Sequence, residues 1–223
     1  MTTISVVKRD GTREPYDANK INLALVKASE GLEDQIAKVV EVASQLQLTL
    51  FDGITSEQLD EAVIQTALQN VKDDPDYDKI AARLLLKPLY KNILGDYDTP
   101  EELKKLHAKS FPQYLKDGVK DGLLDKRLGD GRFDIPKLAK SLDPTKDDLS
   151  KYLGVITNKN RYALRKGSGE PIEVPQYTHM RIAMGLSINS QDPTASALDF
   201  YQHMSSLDYV PGGSTRVNAG GAF

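Results

Sequence analysis

The start of the chain alternates between apolar and polar positions, a pattern typical of short β-strands. Ile4 and Val6 stand at alternate positions before Asp10-Gly11, and residues 12–16 continue as a second extended run. An Asp-Gly pair adopts the positive backbone angles that a tight primed turn requires. The pattern therefore predicts a β-hairpin whose two strands meet across residues 10 and 11.

From Asp17 onward, apolar residues recur every three or four positions, which is the spacing of amphipathic helices. Asp17 is the predicted cap of a first helix that ends at Gly31, and a second helix follows. Ser56 is the predicted cap of a third helix, and a fourth runs from Asp76 to Leu94 with a kink expected at Pro88. The stripes predicted to face a core are Ile21, Ala24, Leu25, Ala28 and Leu32, then Ile36, Val39, Val40, Ala43 and Leu46, then Leu59, Ala62, Val63, Thr66 and Val71, and finally Ile80, Ala81, Leu84 and Leu89.

A short β-prone run between the second and third helices completes this region. Residues 48–51 (LTLF) precede Asp52-Gly53, which predicts a third strand there. Residues 1–95 are thus predicted to form one compact α+β domain, in which a three-stranded sheet lies over a four-helix bundle.

The pattern weakens after this domain, because charges and glycines interrupt the apolar runs as far as residue 153. Residues 161–165 and 172–174 flank Gly167-Ser168-Gly169, which predicts a second hairpin. Pro175 and Asp192-Pro193 then begin two helices whose methionines are predicted to pack in a core. Residues 96–223 are therefore predicted to be mainly helical.

Composition restricts the chemistry that these elements can perform. The chain contains no cysteine, which excludes disulfides, thiolate zinc sites, iron–sulfur clusters and any reaction that needs a thiol of its own. The formal net charge is -3 with Lys and Arg dispersed among Asp and Glu, so no nucleic-acid partner is expected. No apolar run is long enough to span a bilayer and the start lacks the layout of a secretion signal, which predicts a cytoplasmic protein without a membrane partner.

Ionisable side chains offer a few candidate sites. His107, His179 and His203 are too scattered for a metal motif, so each is predicted to be structural or solvated, and no metal site is expected. The sequence contains neither a P-loop nor a dinucleotide-binding glycine motif. Lys8-Arg9, Lys20, Lys91 and Ser56 could instead converge on a triphosphate and its magnesium, although an ordinary solvated charged surface would have the same spacing.

The first 95 residues resemble the ATP-cone, the regulatory domain at the front of many ribonucleotide reductases. The resemblance rests on residues 6–11 (VVKRDG), 16–17 (YD), 20–21 (KI), 52–54 (DGI), 75–77 (PDY), 81–84 (AARL) and Lys91. It implies an allosteric site for ATP or dATP with Mg²⁺, formed by Val6, Lys8, Arg9, Glu14, Tyr16, Lys20, Ile21, Ser56, Leu59, Asp60 and Lys91. Asp60 departs from the histidine that many cones have there, which implies an altered response to dATP.

The later part resembles the beginning of the reductase catalytic domain, through residues 160–162 (NRY), 173–176 (EVPQ), 180–186 (MRIAMGL) and 211–220 (PGGSTRVNAG). The resemblance implies a helical lead-in, followed at residues 211–220 by the first strand of an incomplete ten-stranded α/β barrel. It also implies that Thr215, Ala219 and Gly220 bind the phosphates of the substrate, since glycine-rich backbone lets amide donors approach an anion closely. The catalytic cysteines of the family are absent, so no catalytic residue is assigned.

These observations predict one part of a split or truncated ribonucleoside-diphosphate reductase large subunit. Expected partners are a complementary large-subunit fragment that carries the cysteines and a radical-generating small subunit, within an oligomer. The radical source is expected to be a metal centre in the small subunit, with adenosylcobalamin as the alternative, and it would be supplied by other chains. Two other readings stay open: a structural assembly cap that binds no nucleotide, and a nucleotide-responsive binding protein, although known regulators with this cone carry a cysteine zinc module.

Overall fold

A computed structural model of the protein describes residues 4–8 and 10–222. The chain divides into two compact units, Met1–Lys87 and Pro88–Phe223. The first unit combines a small sheet with helices, and the second is helical in its described part. The predicted class, mainly helical with a three-stranded sheet, is confirmed.

The sheet of the first unit contains three strands in its described residues: β1 (Ser5–Val7), β2 (Arg13–Pro15) and β3 (Ile54–Thr55), in the order β2-β1-β3. β1 pairs antiparallel with β2 and parallel with β3. Val6 lies opposite Ile54, and both side chains are buried, which fixes the register of the central strand.

The first hairpin is confirmed, but its turn is longer than predicted. The amide of Lys8 donates to the Thr12 carbonyl at 2.8 Å, so three residues rather than two separate the last paired positions. Gly11 adopts a φ of 83°, the left-handed conformation that three-residue hairpin loops require at this position. The Asp10 carboxylate accepts from the Thr12 amide at 2.9 Å and closes the turn.

The predicted third strand lies at the wrong residues. Residues 48–51 form no strand, and Leu48 is 88% exposed, whereas β3 begins at Ile54. The reason is the turn at residues 52–53, because the Asp52 carboxylate accepts from the Ser5 amide at 2.8 Å and the Gly53 amide donates to the Ser5 carbonyl at 2.9 Å. These bonds align the residues after the turn with β1.

The four helices of the first region are α1 (Ala18–Ala28), α2 (Gln35–Gln47), α3 (Ser56–Gln69) and α4 (Asp76–Leu94). The Asp17 side chain accepts from the Asn19 amide and caps α1 as predicted. Leu25, Leu46 and Ile80 are each at most 1% exposed and belong to the core. α4 has the predicted bounds and continues across the division between the two units.

The predicted apolar face of α2 is wrong in part. Ile36 is 81% exposed and Val40 is 59% exposed, although the stripe placed both in the core. The helix instead buries Lys38, whose ammonium group binds Asp74 at 2.7 Å and Asp76 at 3.5 Å. Lys38 thus lies on the inward face of α2 with the fully buried Val42 and Leu46, and its ion pairs reach two partly exposed aspartates. The spacing of apolar residues does not reveal a buried lysine.

α3 begins with a capping box that the sequence placed one residue too late. The Gln58 amide donates to the Thr55 hydroxyl at 3.1 Å, and the Thr55 amide donates to the Gln58 side chain at 3.0 Å, so Thr55 rather than Ser56 is the N-cap. The Ser56 hydroxyl instead donates to the Val7 carbonyl at 3.2 Å.

The Thr55→Ala substitution is expected to lower the free energy of unfolding by about 1 kcal/mol, because it removes the hydroxyl acceptor of the cap. Chemical denaturation of the full chain, followed by hydrogen exchange in α3, measures the loss. Thr55→Ser keeps the acceptor and is the matched control. Equal stabilities of the alanine and serine variants would show that the capping box contributes nothing.

The second unit is built from further helices: α5 (Pro100–Lys120), α6 (Ile135–Ser141), α7 (Tyr152–Thr157), α8 (Pro175–Ser187), α9 (Pro193–Ser205) and α10 (Gly213–Asn218), with 3₁₀ turns at Lys126–Leu128 and Pro144–Leu149. α8 and α9 begin at the predicted prolines and pack against each other. Met180 and Met184 on α8 are fully buried, which confirms the predicted core packing.

Two predictions for the second unit need correction. The predicted second hairpin keeps its turn, but it has a single β-bridge between Arg165 and Pro171, and a π-helix occupies Asn158–Tyr162. Residues 211–220 contain no strand, since Gly212 caps the helix α10 there. The start of a barrel is therefore not confirmed. In the described residues, no helix is long and apolar enough to cross a membrane.

Candidate functional site

A cluster of charges lies beside the sheet of the first unit. The Lys8 ammonium group, directly after β1, lies 3.2 Å from the Glu14 carboxylate on β2. The Lys20 ammonium group, on the first turn of α1, lies 3.5 Å from the same carboxylate. The hairpin register brings residues 8 and 14 together, and the cap at Asp17 turns the chain so that Lys20 reaches them.

The cluster carries more positive than negative charge, because two lysines share one carboxylate. The hydrogen bond from Lys8 and the charges of Lys8 and Lys20 lower the pKa of Glu14. The side chains are 37% exposed for Lys8, 66% for Lys20 and 48% for Glu14. Water therefore screens their ion pairs, which add little stability. An incoming anion can therefore reach both lysines and replace the carboxylate as their partner.

The apolar residues of the predicted site and Tyr16 are buried or half-buried. Val6 and Leu59 are 6% and 7% exposed and belong to the core, while Ile21 is half-buried. The Tyr16 ring is half-buried, its amide donates to the Ile4 carbonyl at 2.8 Å, and burial raises the pKa of its hydroxyl.

Other members of the predicted site are not joined to this cluster by a described contact. Arg9 lies outside the described residues. Asp60 is exposed on α3 and has an interaction partner. Lys91 belongs to the second unit, where its ammonium group binds the Asp96 carboxylate at 2.8 Å. The structure thus brings together Lys8, Glu14 and Lys20.

The predicted substrate-binding residues lie on and after α10. Thr215 and Ala219 are half-buried and Gly220 is buried. The Ala219 amide donates to the Thr215 carbonyl at 2.9 Å, and Gly220 adopts a φ of 75°. The Gly220 carbonyl accepts from the Asp125 amide at 3.1 Å, which holds this segment in the second unit.

A buried ion pair contacts this segment, and the sequence analysis missed it. Arg181 on α8 and Glu173 before α8 are both fully buried, with Nε of Arg181 2.8 Å from the Glu173 carboxylate. The carboxylate also accepts from the Thr178 hydroxyl at 3.0 Å, the Leu164 amide at 3.1 Å and the Tyr114 hydroxyl. The available signal was an arginine inside the apolar run at residues 180–186.

A second buried carboxylate lies in the same unit. Asp147 accepts from the Tyr90 hydroxyl and from the Gln176 side-chain amide at 2.6 Å, and Tyr201 donates to Gln176 in turn. Burial raises the pKa of Asp147 to about 7, and the charges of Asp143 and Asp148 add to this effect. This carboxyl group therefore titrates near neutral pH.

The histidines provide no metal site in the described residues, where no group of three or more metal-binding side chains occurs. Burial lowers the pKa of His107 and of His179 to about 4, so both rings are neutral at pH 7. His203 is exposed between Asp199 and Asp208, at 3.8 and 3.6 Å. The structural and solvated interpretation of the three histidines is consistent with these positions.

Comparisons with known proteins match both units. A family model described as "ATP cone domain" matches residues 4–92, and one described as "Ribonucleotide reductase, all-alpha domain" matches residues 149–223. The ribonucleoside-diphosphate reductase subunit alpha of Helicobacter pylori is 33% identical over 217 residues, which cover 97% of this chain and 26% of that relative. The chain therefore combines an ATP cone with the all-alpha domain of ribonucleotide reductases, and it corresponds to the N-terminal part of their large subunits. Its predicted resemblance is confirmed.

Two further relatives agree with this assignment. The ribonucleoside-diphosphate reductase large subunit of Arabidopsis thaliana is 31% identical to this chain over 225 residues, which cover 96% of the chain and 25% of the relative. The subunit alpha of Chlamydia trachomatis is 30% identical over 219 residues, which cover 97% of the chain and 20% of the relative. This chain thus spans about a quarter or less of the relatives it matches.

Proposed function

We propose that this chain senses ATP or dATP for a ribonucleoside-diphosphate reductase and contributes a substrate-phosphate turn to its large subunit. The convergence of Lys8 and Lys20 on Glu14 is the observation that supports the sensing function most strongly, because it lies in the region that matches the ATP cone. A triphosphate would replace Glu14 as the shared anion of the two lysines. Its phosphate oxygens would hold Mg²⁺, with which the effector binds.

The sensing function depends on a difference in affinity between two states of the reductase. If ATP binds an active assembly more tightly and dATP an inactive one, each effector shifts the equilibrium by that difference. Arg9, Tyr16, Ile21, Ser56, Leu59, Asp60 and Lys91 complete the proposed site, with Val6 in the sheet beneath it. Asp60 would repel the negative charge of a nucleotide bound nearby and so lower its affinity.

The second contribution concerns the substrate. We infer that the Thr215 hydroxyl and the backbone of Ala219 and Gly220 bind the diphosphate of the ribonucleotide. Neither the Thr215 hydroxyl nor the Gly220 amide has a hydrogen-bond partner among the described residues, and a phosphate would supply the acceptor that each donor lacks. The reduction would replace the ribose 2′-hydroxyl with hydrogen and release water while two cysteine thiols become a disulfide.

The thiols and the radical must come from other parts of the reductase, because the 223 residues contain no cysteine. A complementary part of the large subunit would carry the cysteines. A radical-generating small subunit with a metal centre would start the reaction, in preference to adenosylcobalamin. An oligomer of these parts is the proposed working form, in the cytoplasm.

Titration of the full chain with ATP or dATP in the presence of Mg²⁺ tests the sensing function. Lys8→Ala and Lys20→Ala are each expected to weaken binding about tenfold, because each removes one charge-assisted contact to phosphate. Lys27→Ala, on the last turn of α1, is the matched control and should bind as the wild type does. Isothermal calorimetry measures each dissociation constant.

A wild-type chain that binds neither nucleotide would exclude the sensing function and favour the assembly-cap interpretation. Binding that is the same in all four proteins would place the nucleotide away from this cluster. The Lys91→Ala variant then tests whether Lys91 takes part, since its described ion pair with Asp96 is exposed and could be replaced by a phosphate.

A further inference from the structure

The guanidinium group of Arg181 holds the backbone that carries the proposed substrate-phosphate turn. Nη1 donates to the Ala219 carbonyl at 2.7 Å, and Nη2 donates to the Arg216 carbonyl at 3.2 Å and to the Tyr162 carbonyl at 2.9 Å. Glu173 occupies Nε at 2.8 Å. All three nitrogens of this fully buried cation are therefore used, and two of them bind carbonyls within residues 216–219.

We propose that Arg181 is a positioning residue for substrate binding, which fixes the direction of the donors at residues 215–220. This inference rests on the proposed function of that segment. A peptide group is planar and trans, so an amide N–H points away from the carbonyl of the residue before it. With the Ala219 carbonyl directed at Arg181, the Gly220 N–H points away from the guanidinium, and Arg181 thereby sets the direction of this donor.

Glycines at the contact between α8 and this segment support the same arrangement. A Cβ atom on Gly185 would lie 2.1 Å from the Gly220 nitrogen, and one on Gly220 would lie 2.5 Å from the Arg181 carbonyl oxygen. The segment therefore packs directly against the α8 backbone, at a distance that only glycine permits. Such contact lets one arginine side chain reach several carbonyls of a segment 35 to 38 residues away.

Neighbouring side chains connect Arg181 and the turn to other parts of the second unit. Glu173 pairs with Arg181, and the carboxylate is itself held by Tyr114, Thr178 and the Leu164 amide. The Arg216 guanidinium lies 3.7 Å above the centre of the Tyr162 ring, whose carbonyl Arg181 also binds. The turn is thus connected to α5, α8 and the π-helix Asn158–Tyr162 through one buried network.

The test uses the full chain, a ribonucleoside diphosphate as the probe, and hydrogen exchange of residues 213–221 as the readout. Arg181→Lys keeps the positive charge beside Glu173, but one ammonium group cannot reach the carbonyls of Arg216 and Ala219 together. We expect faster hydrogen exchange in this segment alone. Diphosphate binding should be about tenfold weaker, because that is the effect of losing the alignment of one charge-assisted hydrogen bond. ATP binding should be unchanged.

Arg132→Lys is the matched control. Its guanidinium binds Asp130 and the Ile188 carbonyl at the other end of α8, so the variant loses a similar contact without touching the turn. Should Arg181→Lys fail to fold, Tyr114→Phe removes one bond to Glu173 and leaves the ion pair intact. That milder variant is expected to weaken diphosphate binding about threefold.

The outcomes are distinguishable. Diphosphate affinity that stays at the wild-type value in Arg181→Lys, or in Tyr114→Phe where the lysine variant is unfolded, overturns the positioning function. Faster exchange throughout the second unit rather than at residues 213–221 overturns it as well, because the arginine would then be structural only. A wild-type chain that binds ATP but whose turn the diphosphate does not protect removes the substrate part of the proposed function, and this inference with it.

Discussion

Glu173→Gln is expected to lower the free energy of unfolding of the second unit by about 3–5 kcal/mol. The substitution leaves the fully buried Arg181 guanidinium without its carboxylate partner, and an uncompensated buried charge is costly. Urea denaturation, followed through the hydrogen exchange of α8, measures the loss in the second unit alone.

Asp96→Asn is the control for this substitution, because it also removes a carboxylate from an ion pair. Lys91 and Asp96 are 63% and 82% exposed, so the loss should stay below about 1 kcal/mol. Adding Arg181→Met to Glu173→Gln should recover part of the stability, since it removes the unpaired charge. A Glu173→Gln variant as stable as Asp96→Asn would show that the buried pair is not the constraint described above.

Asp147→Asn is expected to stabilise the second unit above pH 7 and to leave it nearly unchanged at pH 4. Burial raises the pKa of Asp147 from 3.8 to about 7, so the folded state keeps a proton that the unfolded state releases. The stability that this proton contributes is complete below pH 3.8 and is lost as the pH rises toward 7. That rise in pKa corresponds to roughly 4 kcal/mol between the two limits.

The comparison between wild type and variant isolates this carboxyl group. Burial lowers the pKa of His107 and of His179 from 6.5 to about 4, so these two rings lower the free energy of unfolding as the pH falls below 6.5. This effect is the same in wild type and variant. Asp117→Asn is the matched control, since Asp117 accepts from the Gln113 side chain at 2.8 Å on an exposed surface. Parallel stability curves for Asp147→Asn and wild type from pH 4 to pH 8 would contradict the prediction.

Local sequence signals were sufficient for much of the fold. Pro175 and Asp192-Pro193 correctly predicted where α8 and α9 begin, and the periodic apolar residues correctly predicted the extent of α4. Such signals succeed because a cap or a helical stripe is a property of residues within one or two turns of one another.

Predictions failed where a distant partner decides the outcome. The buried face of α2 includes Lys38, whose partner Asp74 lies 36 residues further on, and the position of β3 depends on the bonds between Asp52 and Ser5. Residues 211–220 resemble a strand with a glycine turn, but Gly213–Asn218 form α10, and Arg181 binds the Ala219 carbonyl at the end of this helix. In each case the deciding contact joins residues that are far apart in the chain.

The candidate sites divide in the same way. The family resemblance named Lys8, Glu14 and Lys20, and the hairpin register brought them together, because strand pairing over a short loop is local. An arginine inside an apolar run marked Arg181, but its pairing with Glu173 could not be recognised from the sequence, since two charges show their burial only once the fold removes both from water. The sequence by itself determined the bounds of α4, the starts of α8 and α9, the first hairpin and the lack of cysteine. Tertiary packing alone decided which charges are buried, because burial depends on every neighbour at once.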